Sequence, residues 1–490
     1  MKIKKIFPKF SFSAIFFLLA GIMLSQCQRK EKQDAPNIII IMADDMGYSD
    51  MGFMGSDIKT PNIDRLANNG LMMTNFYVNP VSTPTRASLL TGLYPHQTGL
   101  GTYAGSNRGH PSYQGHLNNQ CVTIAEALGQ EGYKSFMVGK WHLGTKKGSR
   151  PLDRGFDKLY GVPKGGGTYF HPFLIDRDVY LNEKKVEEFP SDYYSTEAFN
   201  RYATRFISDH SNSDDPFFLY LAHIAPHFPL QAPEDVIDKY KNQYRHNFKN
   251  FRKKRYKRMK DRGILQNKIP LSPPDQLAKN WDELTSAEKD TAALKMATYA
   301  AQIDVMDKGI GKIIDKLKEI GEYKNTVIFF FSDNGACRHD VAPEGRGITV
   351  RGPIGSWKCW KSYGRAWANV SNTPYRLYKT DSYEGGIKTP LIIHYPHKIK
   401  NHRIDYQVSH VIDLMPTCLD LANISYPSTY QGNKILPYEG KSLLPIIKGK
   451  KRDPHEILGW EFKGNKAVRK NDWKLVKKYR ADSWKLYDLS

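Results

Sequence analysis

Five stretches of this chain are apolar without alternation: N-I-I-I-I-M (37–42), S-F-M-V (135–138), F-F-L-Y-L-A (217–222), T-V-I-F-F-F (326–331) and P-L-I-I-H-Y (390–395). A strand with one face in water alternates apolar and polar residues. An unbroken apolar run marks a strand buried on both faces, as in a parallel sheet sandwiched between helices. Helical periodicity fills the intervals, over 61–69, 122–130, 197–208 and 291–320. Alternation of such strands and helices predicts an α/β fold with a large, mostly parallel sheet flanked by helices. With 490 residues, 40% of them hydrophobic, the chain can bury one large core and a smaller unit beside it.

The last stretch reads differently. K-A-V-R-K-N-D-W-K-L-V-K-K-Y (466–479) predicts a hairpin around Asn471-Asp472, and 483–489 predicts a further strand. Lysines on its outward positions suit a solvated face. Residues 454–490 are therefore expected to form a small antiparallel sheet subdomain on a main domain spanning 37–453.

Chemistry-bearing residues cluster just after the apolar runs. Asp44 and Asp45 follow the first, Lys140 and His142 the second, His227 the third, and Asp333 and Asn334 the fourth. An open α/β sheet places its site at the carboxyl ends of its strands, so these groups are expected at one edge. Asp44, Asp45, Asp333 and Asn334 offer only oxygen donors, which suit a hard cation, Ca²⁺ or Mg²⁺. The spacing of Lys140 and His142 puts both on one side of an extended chain. In A-P-H-F-P (225–229) two prolines are expected to hold an extended loop. His227, with a near-neutral pKa, would there serve as a proton donor. In S-T-P-T-R-A-S-L-L-T-G (82–92), Thr83 can cap a helix, Pro84 suits its first turn and Gly92 its stop. That sets Ser82 at a helix N-terminus, where unpaired N–H groups favour an anion, with Arg86 one turn on. A nucleophile facing a cationic, donor-rich pocket suits an anionic ester.

The run S-T-P-T-R-A-S-L-L-T-G resembles the signature of the type I sulfatases, Cys/Ser-x-Pro-x-Arg, in its serine form. A-D-D-M-G, S-D-N-G, G-K-W-H-L-G (139–144) and Y-K-T-D-S-Y-E-G-G-I (378–387) extend the resemblance from about Asn37 to the C-terminal end, toward the arylsulfatase-like branch. The resemblance implies an alkaline-phosphatase-like fold and a formylglycine (3-oxoalanine) made from Ser82. It also implies a Ca²⁺, ahead of Mg²⁺, held by Asp44, Asp45, Asp333, Asn334 and residue 82. Lys140, His227 and Lys379 would contact the sulfate. One hydroxyl of the formylglycine hydrate would attack sulfur, His227 or Lys379 would protonate the departing alcohol, and His142 would take the proton that lets sulfate leave. Arg86 would offset the anionic charge. Thr380 stands where some of that branch carry histidine. The substrates implied are sulfated carbohydrates or aryl sulfates, and a serine-type formylglycine-generating maturation enzyme is the implied partner. The resemblance also implies a C-terminal region longer than the one ending at L-Y-D-L-S, so the 454–490 subdomain is expected to be truncated.

Lys2, Lys4, Lys5 and Lys9 precede an apolar run from Ala14 to Leu24, which reads as a signal peptide over 1–26. Leu24-Ser25-Gln26-Cys27 resembles a bacterial lipoprotein processing site. Cys27 is therefore expected to carry a lipid and 27–36 to act as a tether, giving an exported, periplasmic or outer-membrane-anchored protein. Cys121, Cys337, Cys359 and Cys418 form no C-x-x-C pair, so zinc is not indicated, and an exported chain leaves room for one disulfide among them. The formal charge is +22, and 239–262 hold twelve Lys/Arg against Asp261 alone. Tyr240, Tyr244, Phe248 and Phe251 recur there at helical spacing, predicting an amphipathic helix with a solvated basic face. Steering of a polyanion is a second reading of that face; nucleic acid is not expected outside the cell. Two rival functions remain at this point: a phosphatase or phosphonate hydrolase of the same superfold with Ser82 unmodified, and a non-catalytic surface glycan-binding lipoprotein.

Overall fold

The central sheet is built around the strands that the apolar runs predict. The computed structural model describes residues 35–170, 177–266, 268–339 and 352–490. The leader, Cys27 and most of the 27–36 tether lie outside the described residues. The strands are β1 (Asn37–Ala43), β2 (Leu71–Tyr77), β3 (Lys134–Lys140), β4 (Lys158–Val162), β5 (Tyr180–Leu181), β6 (Lys184–Lys185), β7 (Phe217–Ala222), β8 (Thr326–Ser332), β9 (Lys388–His394), β10 (Arg403–Asp405) and β11 (Ser409–His410). Their order is β10-β2-β9-β8-β1-β7-β3-β4-β5-β6, with β11 also on β2. β1 runs parallel to both neighbours, with Ile40 opposite Tyr220 on β7 and Phe329 on β8. Every residue of β1, β7 and β8 is buried, as unbroken apolar runs require.

Two features of the sheet are absent from the sequence reading. β2 is a strand although Thr74 and Asn75 interrupt its apolar run, and its register shifts between Met73 and Phe76 where it meets β9. β9 runs antiparallel to both β8 and β2. It is thus reversed within an otherwise parallel centre, which brings its amino end to the edge where β1, β3, β7 and β8 finish.

Helices cover both faces: α1 (Pro61–Asn68), α2 (Ser82–Thr91), α3 (Ile124–Gly129), α4 (Ser195–His210), α5 (Phe248–Asp261), α6 (Ser286–Glu319), α7 (Gly364–Ser371) and α8 (Leu414–Ala422). The 34-residue α6 opens on a capping box in which Thr285 and Glu288 bond each other's backbone N–H. Among the described residues no helix is long and apolar enough to cross a membrane. Cys121, Cys337, Cys359 and Cys418 are all buried and free, so the disulfide allowed by the sequence does not form among them.

The basic segment needs correction. Only Phe248–Asp261 is helical, while Tyr240 and Tyr244 are buried in the turns before it. The aromatic residues pack inward as expected, with the Phe248 and Phe251 rings 4.8 and 5.4 Å from Trp367. Arg252 and Arg255, however, are buried rather than solvated. Arg255 donates to Asp50 Oδ1 at 2.7 Å and Arg252 to the Ser272 carbonyl at 2.9 Å.

Beyond the small hairpin β12 (Thr429–Tyr430) and β13 (Asn433–Lys434), strands β14 (Leu458–Phe462), β15 (Asn465–Lys470), β16 (Trp473–Lys477) and β17 (Lys485–Asp488) form an antiparallel sheet. Asn471 takes a positive φ of 52° in the predicted hairpin turn. The outward face is only in part the lysine row expected: Lys466, Lys470 and Lys485 are exposed, but apolar residues stand among them. Val468, Trp473, Leu475 and Leu486 are exposed, whereas Lys474 and Arg469 turn inward. Their charge is matched: Lys474 Nζ lies 2.5 Å from Glu384 Oε1, and Arg469 donates to the Tyr77 hydroxyl at 2.6 Å. Leu458, Trp460, Ala467 and Val476 pack with Tyr77, Tyr383 and Ile387, joining this sheet to the main one within a single compact unit, Pro36–Ser490.

Asp413 fastens the same region. Its buried carboxylate accepts from Arg452 (2.8 Å), His455 (2.7 Å) and the backbone N–H groups of His410 and Lys441 (2.8 Å each). Burial opposes its charge, but His455 and Arg452 outweigh it and bring its pKa to about 2. The unfolded carboxyl titrates near 3.9 (approximately). A folded value below the unfolded one stabilises above about pH 4, and that contribution is lost as pH falls from there through 2. Asp413→Asn is expected to cost about 3–5 kcal/mol at pH 7, because Arg452 is left buried without its counter-charge. Urea midpoints of the two proteins at pH 7 and pH 3 check this: the gap narrows in acid, and an equal gap at both values would refute it.

Candidate active site

The helix cap falls two residues earlier than the sequence reading placed it, so Ser82 lies inside the first turn. Helix α2 begins at Ser82 itself, with Val81 in an extended conformation as its N-cap; Thr83 makes no cap bond. Gly92 closes the helix at φ 71°, as expected. The Ser82 hydroxyl, buried among the carboxyl ends of the central strands, bonds Asp44 Oδ1 at 3.0 Å and Asn334 Oδ1 at 3.4 Å.

The other candidates converge on the same point. Asp44 and Asp45 follow β1, and Asp45 takes a φ of 65°, which turns the chain sharply out of the strand. Asp333 Oδ1 accepts from the Asp45 N–H at 3.1 Å, and Asn334 Nδ2 donates to Asp45 Oδ1 at 2.7 Å. These bonds lock the two acidic loops together. Lys140, the last residue of β3, pairs with Asp44 Oδ2. Lys379 comes from the loop ahead of β9, and the reversal of that strand delivers its Nζ to Asp45 Oδ1 at 2.7 Å. Arg86, with no exposed side-chain surface, reaches Asp333 Oδ2 at 3.2 Å, Asp44 Oδ2 at 3.6 Å and the Lys140 carbonyl at 2.7 Å.

The two histidines arrive differently from their expected settings. The chain leaves β3 after Lys140, and His142 has φ 61°, so strand alternation does not place it. Its Nδ1 faces Thr83 Oγ1 at 3.2 Å. The 225–229 loop turns instead of extending: both its prolines follow cis peptide bonds, and the His227 N–H donates to the Ile224 carbonyl at 2.9 Å. His227 Nδ1 donates to the Phe228 carbonyl at 2.6 Å, since a carbonyl only accepts. That leaves Nε2 facing Asp45 Oδ2 at 3.5 Å.

Charge within the pocket is nearly balanced, three carboxyl groups against three cations. Burial opposes ionisation of Asp44, yet Lys140, His227, Arg86 and Lys379 hold its carboxyl well below the usual range. Asp333 goes the other way. Burial, and then the Asp44 charge, push it up to about 7. Burial disfavours charge on Lys379 also, but Asp45 above all keeps it protonated beyond the ordinary lysine value. Burial and then Lys140 and Arg86 keep His142 neutral, well below its usual pKa. Burial lowers His227 to about 4, only partly offset by Asp45, so the near-neutral value expected from sequence is not what its surroundings give.

The donor set fits a hard cation. Asp45 Oδ2 is buried and accepts no hydrogen bond. Asp44, Asp45 and His227 place ligand atoms within 4.8 Å of one another. Asp333 and Asn334, the other two predicted donors, lie one hydrogen bond away from that group. Sequence reasoning missed Tyr220, whose hydroxyl lies 3.4 Å from Arg86 NH1, because a tyrosine inside F-F-L-Y-L-A looks like core. It also missed Thr83, read only as a cap.

A buried serine at a helix N-terminus, two carboxylate loops and a ring of cations at the strand ends define a hydrolase of anionic esters on an α/β sheet. The chain matches the Sulfatase family over residues 36–424 and the family described as N-sulphoglucosamine sulphohydrolase, C-terminal, over 376–490. It is 36% identical to an arylsulfatase of Klebsiella aerogenes, covering 90% of this chain and 97% of that one. It is 35% identical to an uncharacterized sulfatase of Schizosaccharomyces pombe, covering 94% and 89%. Among solved structures it resembles Ps i-CgsB in complex with k-i-k-neocarrahexaose, with a TM-score of 0.67 and 28% identity over 92% of this chain and 86% of that one. This protein belongs to the sulfatase family and is a sulfuric ester hydrolase.

Proposed function

We propose that the protein hydrolyses sulfate esters of carbohydrates with a formylglycine made from Ser82. The observation that carries this reading is the position of the Ser82 side chain, within hydrogen-bond reach of Asp44 and Asn334 and ringed by Lys140, Lys379 and Arg86. The carbohydrate preference rests on the likeness to Ps i-CgsB, which was solved with a neocarrahexaose. Asp44, Asp45, Asp333 and Asn334 would hold Ca²⁺, which when bound draws charge from a sulfate oxygen and so activates sulfur. The formylglycine hydrate supplies a second hydroxyl, which lets sulfate be expelled where a plain serine could not expel it.

The remaining work falls to the side chains in place. Lys140 and Lys379 offset the sulfate charge, and Arg86 stabilises the acidic loops from beneath. His142, held neutral and steadied at Nδ1 by Thr83, is a base. His227 takes up a proton at Nε2 when an ester anion enters beside it, because a nearby negative charge favours the imidazolium, and it passes that proton to the departing alcohol. Lys379, already protonated, is the alternate donor. His227→Gln is expected to lower kcat about 10²–10⁴-fold for sugar sulfates and much less for an aryl sulfate with an acidic phenol. Equal losses on both substrates would remove the proton-donor role.

Mass spectrometry of the peptide containing Ser82 tests the central claim. An aldehyde at that residue in active protein supports it; unmodified serine in fully active protein favours the phosphatase-like alternative. The same reading includes a serine-type maturation enzyme and export on a lipid attached to Cys27. Cys27→Ala is expected to release the protein from the detergent phase into the aqueous phase on partitioning, and unchanged partitioning would dismiss the anchor.

A further inference from the structure

The turn that presents Lys379 is strained. Leu377 and Thr380 both have positive φ, 66° and 77°. The left-handed region suits glycine and resists a β-branched side chain, whose Cβ crowds its own backbone. Such a conformation persists only where its surroundings over-determine it, and it concentrates at functional sites. Three parts of the molecule supply that restraint. The Thr380 N–H donates to the Pro80 carbonyl at 2.7 Å, two residues before Ser82. The Lys379 N–H donates to the Ala336 carbonyl at 3.1 Å, two residues beyond Asn334. The third restraint comes from the C-terminal sheet, where Asn465 Nδ2 donates to the Thr380 carbonyl at 3.3 Å.

Asn465 is itself fixed. It is the first residue of β15, paired with Phe462 across the hairpin, and its side-chain oxygen accepts the Tyr479 N–H at 3.1 Å. Its backbone carbonyl also accepts from Ser382 Oγ at 3.4 Å. The residue thus touches the lysine turn at two places, on either side of Asp381. It reaches none of Ser82, Asp44 or Asp45, so any effect on chemistry passes through the turn.

We infer that Asn465 is a positioning residue for catalysis, clamping the strained Thr380 turn so that Lys379 stays aimed at Asp45 and the ester. The inference rests on the reading of Lys379 as a sulfate contact. It makes the C-terminal sheet part of the catalytic apparatus. It also makes a distinctive demand: the clamp matters because Thr380 resists its conformation, so a glycine at 380 should make the clamp dispensable.

The test is a double-substitution cycle on the full chain. Asn465→Ala is expected to lower kcat/KM for a sulfated saccharide by about 10- to 100-fold, the scale of a displaced catalytic group. In a Thr380→Gly background the same substitution should change kcat/KM by less than about twofold, since glycine adopts this φ without strain. Losses that multiply across the two positions, or a normal rate for Asn465→Ala, overturn the inference. Should Asn465→Ala fail to fold, Asn465→Asp keeps the acceptor for Tyr479 and removes only the donor to Thr380, and it carries the same expectation. If the unsubstituted protein releases sulfate from no ester, the functional reading fails separately. The clamp is then judged by the crystal structure of Asn465→Ala: Lys379 Nζ moved away from Asp45 supports it, and the 2.7 Å contact retained overturns it.

Discussion

Ser82→Ala is expected to abolish sulfate release, with kcat falling about 10⁵-fold or more, the scale seen when a covalent nucleophile is removed. The substitution deletes one oxygen and its bonds to Asp44 and Asn334. Asp44 keeps Lys140 and Arg86, and Asn334 keeps its bond to Asp45, so the pocket should stay assembled. Folding and chemistry are therefore separable here. An unchanged thermal midpoint with no turnover is the expected pair of results, and a kcat comparable to the unsubstituted protein would end the formylglycine proposal.

Arg86→Ala is expected to do the reverse, damaging the fold as much as the reaction. The guanidinium spans Asp333, Asp44 and the Lys140 carbonyl in the interior, with the Tyr220 hydroxyl on its flank. Its removal leaves two buried carboxylates short of a counter-charge, a loss of about 3–5 kcal/mol. Burial, and then the Asp44 charge, push the Asp333 carboxyl up to about 7. Without the adjacent cation its protonated form is favoured further. Arg86→Lys should rescue little, since an ammonium cannot span the same partners as a planar fork. Urea midpoints and kcat values check both parts; an unchanged midpoint for Arg86→Ala would show that the ion network does not stabilise the fold.

Much of the site was legible because it sits at strand ends, and strands buried on both faces announce themselves as unbroken apolar runs. Asp44, Asp45, Lys140, Asp333 and Asn334 could be assigned to one edge from that pattern alone. Ser82 could not, because its strand, β2, is broken by Thr74 and Asn75 and carries a register shift; the resemblance of its motif supplied what periodicity could not. Lys379 was likewise out of reach of pattern reading, since an antiparallel strand amid parallel ones leaves no local trace in sequence. The pKa of His227 depends on how deeply its loop is buried, and the alternation argument for His142 failed because that residue itself takes a positive φ, two residues past the end of β3. At the C-terminus the hairpin was visible in Asn471-Asp472, but which lysines face inward depended on Glu384, some ninety residues upstream.

The strand order carries a consequence for biosynthesis. β9 lies between β2 and β8, so residues 388–394 must slot into place beside segments made some three hundred and some sixty residues earlier. Until that happens β2 lacks a central neighbour, and the helix that follows it cannot be sealed over. On the proposed reading, an enzyme that oxidises residue 82, only 2% exposed once the molecule has closed, would have to act before residues 388–394 are in place. The late arrival of one strand would then set the deadline for the proposed modification.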